Sequence, residues 1–283
     1  MTDSFYFDNT DGVVTLRCRA LDRAGFKKHC FTTRKGGVSL GFLAQTNLSF
    51  SREDSKNVFE NYRRIFNAVG FSSVAVLSNQ QHTDKILTVD DGLSGSELFS
   101  VRREADSSFA GGVFYTAKNA ADGFVTDQKD ICLVTFVADC VPVIIADPVK
   151  KAAACVHSGW RGTAKGISGA AVGKMSENYG CDPADLIAAI GPCIGACCYE
   201  VGRDVYDEFT SENTDFSRFF TPINDEKYML DMNGANRFVL ERVGLKPENI
   251  HISYECTCHN SLLYYSHRAT KGKRGNMSAM IEI

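Results

Sequence analysis

Two apolar runs constrain this chain more than any other feature: Val141 to Ala146 and Ala152 to Val156, joined by Asp147-Pro148-Val149-Lys150-Lys151. Apolar runs of this length, bounded by turn residues, predict buried strands. Cys140 immediately precedes the first run and His157 immediately follows the second. An antiparallel hairpin places both at the end opposite the turn, side by side. A thiolate and an imidazole brought together in this way suggest a zinc or copper site. Trp160, the one tryptophan of the chain, and Arg161 follow at once.

The third ligand is expected from a separate strand end. Residues 73 to 78 read as a short strand that runs into Asn79-Gln80-Gln81-His82-Thr83-Asp84, with a second strand over 85 to 89. His82 thus stands in a polar turn of the kind on which sites are built. His82, Cys140 and His157 give a metal three protein ligands and an open fourth position, the catalytic zinc pattern. The same atoms also permit a metal-free reading, with Cys140 as nucleophile and His157 as its base. Asp139 or Asp84 then orients the histidine. Either role needs an accessible thiolate.

Composition narrows the classes of partner. The 283 residues carry a net charge of -3, with 44% hydrophobic and 23% charged residues. That balance suits a globular chain and offers neither nucleic acid nor an anionic membrane a basic surface. No apolar stretch approaches the roughly 20 residues of a membrane span. The opening Met1-Thr2-Asp3-Ser4-Phe5 lacks the basic and apolar regions of a secretory signal, so the expectation is a cytoplasmic protein. Eleven cysteines then read as reduced, mostly buried thiols. Cys193, Cys197 and Cys198, with Cys256, Cys258 and His259, have spacings poor for zinc. They too are expected to be buried thiols, with a second structural zinc as the minor alternative.

The rest of the chain mixes strands and helices without strict alternation. A strand or hairpin is expected over 5 to 20 and strands over 131 to 137, 186 to 190, 250 to 254 and 277 to 283. Helices are expected over 54 to 69, 163 to 179 and 199 to 209, with a further helix capped by Asp231. Residues 90 to 112 read as a long polar loop. The segment His29 to Ser39, a strand end followed by Arg34-Lys35-Gly36-Gly37, reads as a surface turn or, alternatively, an anion-binding loop. No repeat or linker divides the chain. The fold class is therefore α+β, a single domain over 1–283 with mixed sheets. No G-x-G-x-x-G or P-loop pattern supports a nicotinamide or nucleoside triphosphate site.

Several segments together resemble one family. They are His82 after Gln80, A-D-C-V-P-V from Ala138, H-S-G-W-R-G from His157, and G-P-C-I-G from Gly191 with Tyr199-Glu200-Val201-Gly202. Glu255-Cys256-Thr257 before Tyr265-Ser266-His267-Arg268, Thr32 to Ser39, Thr46-Asn47-Leu48 and Ala121 to Thr126 complete the pattern. In this order they resemble the bacterial laccase-domain family, also called multicopper polyphenol oxidoreductase or peptidoglycan editing factor. The tail Lys273-Arg274-Gly275-Asn276-Met277 departs slightly from it.

The resemblance implies a four-layer α/β/β/α sandwich and zinc held by His82, Cys140 and His157. It implies one of three activities. The first is phosphorolysis of adenosine, inosine and methylthioadenosine, with adenosine deamination. The second is removal of wrong amino acids from peptidoglycan precursors by an amide hydrolase. The third is copper-dependent oxidation of polyphenols. Six dispersed histidines cannot easily house a multicopper cluster, so the oxidase ranks last. A non-enzymatic zinc-binding module is the remaining alternative. For purine nucleoside and phosphate as small-molecule partners, Arg34 and Arg161 are the candidate phosphate contacts and Trp160 the stacking surface. Asn47 and Gln80 join the candidate substrate contacts, and Asp139 or Asp84 is the candidate proton shuttle.

Overall fold

The fold is described from a computed structural model over residues 4–103 and 112–283. The hairpin that anchors the sequence is also the centre of the molecule. Val141–Asp147 pairs antiparallel with Ala152–Ser158, and Pro142 stands opposite His157. The turn between them is tied by the Asp147 carboxylate, which accepts the N–H groups of Val149 and Lys150. Alternate side chains of the first strand go to opposite faces. Val143 and Ile145 enter one core, while Ile144 and Ala146 enter another. Because both faces are buried, the run is apolar throughout and not alternating. Pro142 is tolerated in a central strand because pairing with Ile187–Ile190 begins one residue later, at Val143.

These strands belong to a six-stranded sheet. Its order is Ile250–Ile252, Ile187–Ile190, Val141–Asp147, Ala152–Ser158, Gly123–Thr126 and Ile86–Thr88. Behind it lies an eight-stranded sheet, ordered Phe5–Thr10, Val13–Cys18, Lys28–Thr32, Met277–Glu282, Cys132–Val137, Val74–Leu77, Val113–Ala117 and Phe99–Arg103. Both contain parallel and antiparallel pairs. Phe31, Val76, Leu133 and Ile281 of the larger sheet meet Phe124, Ile144, Ala153 and Ala189 of the smaller one.

Helices cover the outer faces. The helix Ser55–Val69 packs Val58, Tyr62 and Ile65 on the larger sheet. Ile167–Tyr179 and Met232–Arg242 pack Ile167, Ala171, Met175 and Val239 on the smaller one. The result is the expected α/β/β/α sandwich. Among the described residues, no helix is long and apolar enough to cross a membrane.

Three local expectations are corrected. The helix expected over 163 to 179 is two helices, Trp160–Ala164 and Ile167–Tyr179, broken where Gly166 takes φ +76°. The helix expected over 199 to 209 begins only at Arg203, because Glu200–Gly202 is a strand of a small third sheet. The loop expected over 90 to 112 contains the edge strand Phe99–Arg103; its residues 104–111 lie outside the described residues, as do Met1 to Asp3 of the opening segment. The basic loop after Thr32 spends its amides internally: Gly36 N–H on Gln45 Oε1 and Val38 N–H on Asn61 Oδ1. This packing agrees with the turn reading of the segment.

Candidate metal centre and adjoining cavity

Three strand ends converge at the centre. Beyond Val74–Leu77, the Gln80 side chain continues the strand pairing. Its Nε2 donates to Phe136 O at 2.7 Å, and its Oε1 accepts the Phe136 N–H at 2.6 Å. The chain then turns at His82, which has φ +58°. That left-handed conformation is uncommon for a non-glycine residue and persists where the surroundings over-determine it.

The surrounding determinant is Asp122. Its fully buried carboxylate accepts the N–H groups of Gln81, His82 and Thr83, and the Thr83 hydroxyl. Oδ1 also bonds His157 Nδ1 at 2.8 Å. Stripping water from a carboxylate costs several kcal/mol. A hydrogen bond to a charged group recovers about 1.5–3 kcal/mol each, so this donor set is sufficient to keep the ion. Burial alone raises the carboxyl pKa, but the bonds from His157 and Thr83 outweigh it and hold Asp122 at about 2.

With Nδ1 of His157 occupied, its Nε2 is the nitrogen left for Cys140. The ligand atoms of His82, Cys140 and His157 all lie within 4.8 Å of one another. Cys140 Sγ is 3.8 Å from His82 Nε2. A sulfur and a nitrogen on a tetrahedral zinc stand about 3.6 Å apart, given bond lengths of about 2.3 and 2.05 Å. The donor set and its spacing fit a zinc ion. His157 is buried and is the penultimate residue of its strand, one place earlier than a ligand just past the strand end. Burial alone raises the Cys140 thiol, yet the His157 charge and the hydrogen bonds from both histidines bring it down to about 6. Burial alone lowers His157, but the Cys140 charge and the Asp122 bond raise it to about 9. The thiolate needed by a metal is thus favoured at neutral pH.

Gly159 closes the centre from the other side. A Cβ there would lie 2.7 Å from His82 Cδ2 and 3.5 Å from Cys140 Sγ. Trp160 and Arg161 follow on the short helix. Arg161 is exposed and lies over the Trp160 ring at 4.1 Å, and Trp160 is only partly buried against the helix-side core. Both therefore remain beside the centre with surface to offer.

Other expected site residues have different tasks. Asp139, at φ +88°, accepts the Thr257 hydroxyl at 2.6 Å and the Arg268 N–H at 2.7 Å. Both carboxylate oxygens are thus engaged in holding the turn that carries Cys140. Asp84 is exposed, and the carboxylate that orients His157 is Asp122. The Arg34 guanidinium donates to Ala44 O and Ser261 O and covers the Tyr265 ring. It fastens the loops around Ala44 and Ser261. Gln80 is likewise consumed by Phe136.

Asn47 does line a cavity, of about 260 Å³, with Ser49, Ser51, Arg52, His267 and Arg274. Arg274 Nε is buried without a hydrogen-bond partner among the described residues. Burial lowers its pKa, while the charges of Cys140 and Asp139 act the other way, so the guanidinium lies within electrostatic reach of the metal ligand. Sequence reasoning missed Asp122, Arg52 and His267 as site residues and left the role of Arg274 open. The available signal was an acid between Ala121 and Gly123 at a strand start, and a tail unusually rich in basic residues.

A mixed-sheet α/β/β/α sandwich with a Cys-His₂ centre at the strand ends defines the class of protein. A family profile described as multi-copper polyphenol oxidoreductase laccase matches residues 28–283, and the chain belongs to that family. It is 35% identical over 247 residues to mouse (Mus musculus) "Purine nucleoside phosphorylase LACC1", covering 84% of this chain and 51% of the relative. The chain thus spans about half the length of that relative. It is 31% identical to "Purine nucleoside phosphorylase YlmD" of Bacillus subtilis, covering 89% of this chain and 86% of the relative. Among solved structures, the Bacillus licheniformis hypothetical protein YfiH superposes with a TM-score of 0.84 at 29% identity, covering 99% of each chain. YlmD from Geobacillus stearothermophilus gives 0.80 at 30% identity, covering 99% of this chain and 98% of its own.

Proposed function

We propose that this chain is a zinc-dependent purine nucleoside phosphorylase acting on adenosine, inosine and methylthioadenosine, with adenosine deamination at the same centre. The observation that carries the reading is the Cys-His₂ cluster together with a cavity lined by Arg52 and Arg274, whose Arg274 guanidinium feels the charge of Cys140. The names of the mouse and Bacillus relatives support the substrate class.

His82, Cys140 and His157 would hold the zinc ion, which would supply Lewis acidity and, for deamination, lower the pKa of a water. Asp122 fixes the tautomer and orientation of His157. Arg52 and Arg274 bind phosphate by charge and paired N–H donors, and Arg274 Nε contributes the buried donor that otherwise has no acceptor. Asn47 and the serines 49 and 51 shape the same wall. In phosphorolysis, a phosphate oxygen bonds to ribose C1′ as the bond from C1′ to the base nitrogen breaks. The leaving purine nitrogen takes up the proton that the attacking hydrogen phosphate gives up. The half-exposed Trp160 ring offers the base a stacking face.

The test is incubation of zinc-loaded protein with adenosine, with and without phosphate, followed by chromatography. The expected products are adenine and ribose 1-phosphate when phosphate is present, and inosine without it. Formation of neither product by zinc-loaded protein rejects the reading. Oxidation of a polyphenol by copper-loaded protein in its place assigns the centre to the oxidase chemistry.

A further inference from the structure

Four more soft donors meet away from the first centre. Cys197 and Cys198 sit in the turn after Gly195, and Cys256 and His259 in the turn after Ile250–Ile252. Their ligand atoms all lie within 4.8 Å of one another. The expectation that these thiols are buried is corrected: Cys193 is buried, but Cys197 is exposed, and Cys198, Cys256 and Cys258 are half-buried. All eleven cysteines are free.

From this cluster we infer a second zinc site, of the structural Cys₃His type, formed by Cys197, Cys198, Cys256 and His259. Spacing is the first argument. Two thiolates on a tetrahedral zinc stand about 3.8 Å apart, and a thiolate and an imidazole nitrogen about 3.6 Å. Cys197 Sγ is 3.8 Å from Cys198 Sγ and 3.4 Å from His259 Nδ1. Three sulfurs and one nitrogen are also the donor set that selects zinc for structural sites.

The backbone gives an independent argument. Gly195 N–H donates to Cys256 Sγ at 3.2 Å. The N–H groups of Cys258 and His259 also hydrogen-bond to Cys256. Amides converging on one sulfur stabilise it as a thiolate, the form that binds metal. Gly195 also suits the close approach. A Cβ there would lie 3.2 Å from Cys197 Sγ and 3.4 Å from Cys256 Sγ, so glycine lets the two turns meet without displacing either sulfur.

The site has a consequence for the first centre. Thr257, between Cys256 and Cys258, donates its hydroxyl to Asp139, the neighbour of Cys140. Thr257 N–H bonds Cys193 O, and Ile194 N–H bonds Asp139 O. A metal that joins the two turns therefore fixes the wall against which Cys140 is held. The role is positioning, through Thr257 and Asp139.

The experiment isolates this site from the first. Cys140→Ser in the full chain removes a ligand of the first centre, and the reduced, metal-stripped protein is titrated with cobalt(II). The expected result is one cobalt per chain, with visible bands of tetrahedral coordination and near-ultraviolet sulfur-to-cobalt charge transfer. Adding Cys256→Ser abolishes that spectrum. Since Cys256→Ser risks misfolding, His259→Ala at the rim serves as the second variant; it is expected to weaken cobalt binding at least tenfold, with an unchanged circular-dichroism spectrum. Failure of Cys140→Ser to bind cobalt overturns the inference, as does a thiolate-cobalt spectrum that survives in both double variants. Neither outcome bears on nucleoside turnover, which is measured on the wild type.

Discussion

Asp122 Oδ1 lies 2.8 Å from His157 Nδ1, and the same carboxylate gathers three successive amides of the His82 turn. One buried side chain thus orients one ligand directly and shapes the loop that carries another. Asp122→Asn keeps the shape but replaces an acceptor by a donor. The expected outcome is a 10–100-fold loss of zinc affinity, read by competition with a chromophoric chelator. Unchanged affinity refutes the orienting role.

Gly159 makes a steric prediction at the same centre. The added methyl of Gly159→Ala lies 2.7 Å from His82 Cδ2, so the imidazole has to move. Gly159 has φ -67°, so alanine meets no backbone penalty. The expected protein melts within a few degrees of wild type yet binds zinc at least tenfold more weakly. A variant with normal zinc affinity means that the pocket has slack at this face.

Cys140 predicts a titration. Burial opposes ionisation, but the paired histidines prevail and bring the thiol down to about 6, while His157 rises to about 9. Between these values the metal-free pair is thiolate and imidazolium. In metal-free protein, alkylation of Cys140 by iodoacetamide is expected to inflect near pH 6, and zinc is expected to suppress it. An inflection near the ordinary thiol value of about 8.5 contradicts the ion-pair arrangement.

How much of this was legible in the sequence depends on whether a residue's partners are close in the chain. Cys140 and His157 declare themselves because a short hairpin juxtaposes them, and burial on both faces leaves an unmistakable apolar run. Asp122 does not, because its partners are about 40 positions away on one side and 35 on the other. Phe99–Arg103 was hidden because only Phe99 of this edge strand is buried, so it shows no alternation. Glu200–Gly202 is too short to show any period. The structural task of Arg34 was not legible either, because the Ala44 and Ser261 carbonyls that it holds are 10 and 227 positions away. The thiols misled through Cys256-x-Cys258: the group that clusters takes His259 instead of Cys258, with a vicinal pair contributed from far upstream.

The cavity wall separates the two arginine hypotheses. Arg274→Ala and Arg52→Ala are expected to raise the KM for phosphate at least tenfold, with a smaller effect on the KM for nucleoside. Arg34→Ala is expected to lower thermal stability, because it leaves the Ala44 and Ser261 carbonyls without their donor, while the phosphate KM of the folded fraction stays unchanged. A phosphate defect confined to Arg34→Ala moves the anion site back to the loop after Thr32.

His29 gives the stability of the fold a pH dependence remote from the metal. It is fully buried; Nδ1 donates to Phe26 O at 2.7 Å and Nε2 accepts the Cys18 N–H at 2.9 Å. Both ring nitrogens are satisfied only in the neutral form, since a proton on Nε2 confronts another N–H. Burial lowers the pKa to about 4, against the partial opposition of Asp22. An unfolded histidine titrates near 6.5. Between those values the unfolded chain binds more protons, so stability rises with pH through this window and is lost as pH falls toward 4. The expected slope from this residue is about 1.4 kcal/mol per pH unit between roughly 6 and 4. Urea midpoints of wild type and His29→Gln across that range measure it. The variant is less stable at pH 7 but has a flatter profile, and parallel profiles remove His29 as the source of the acid sensitivity.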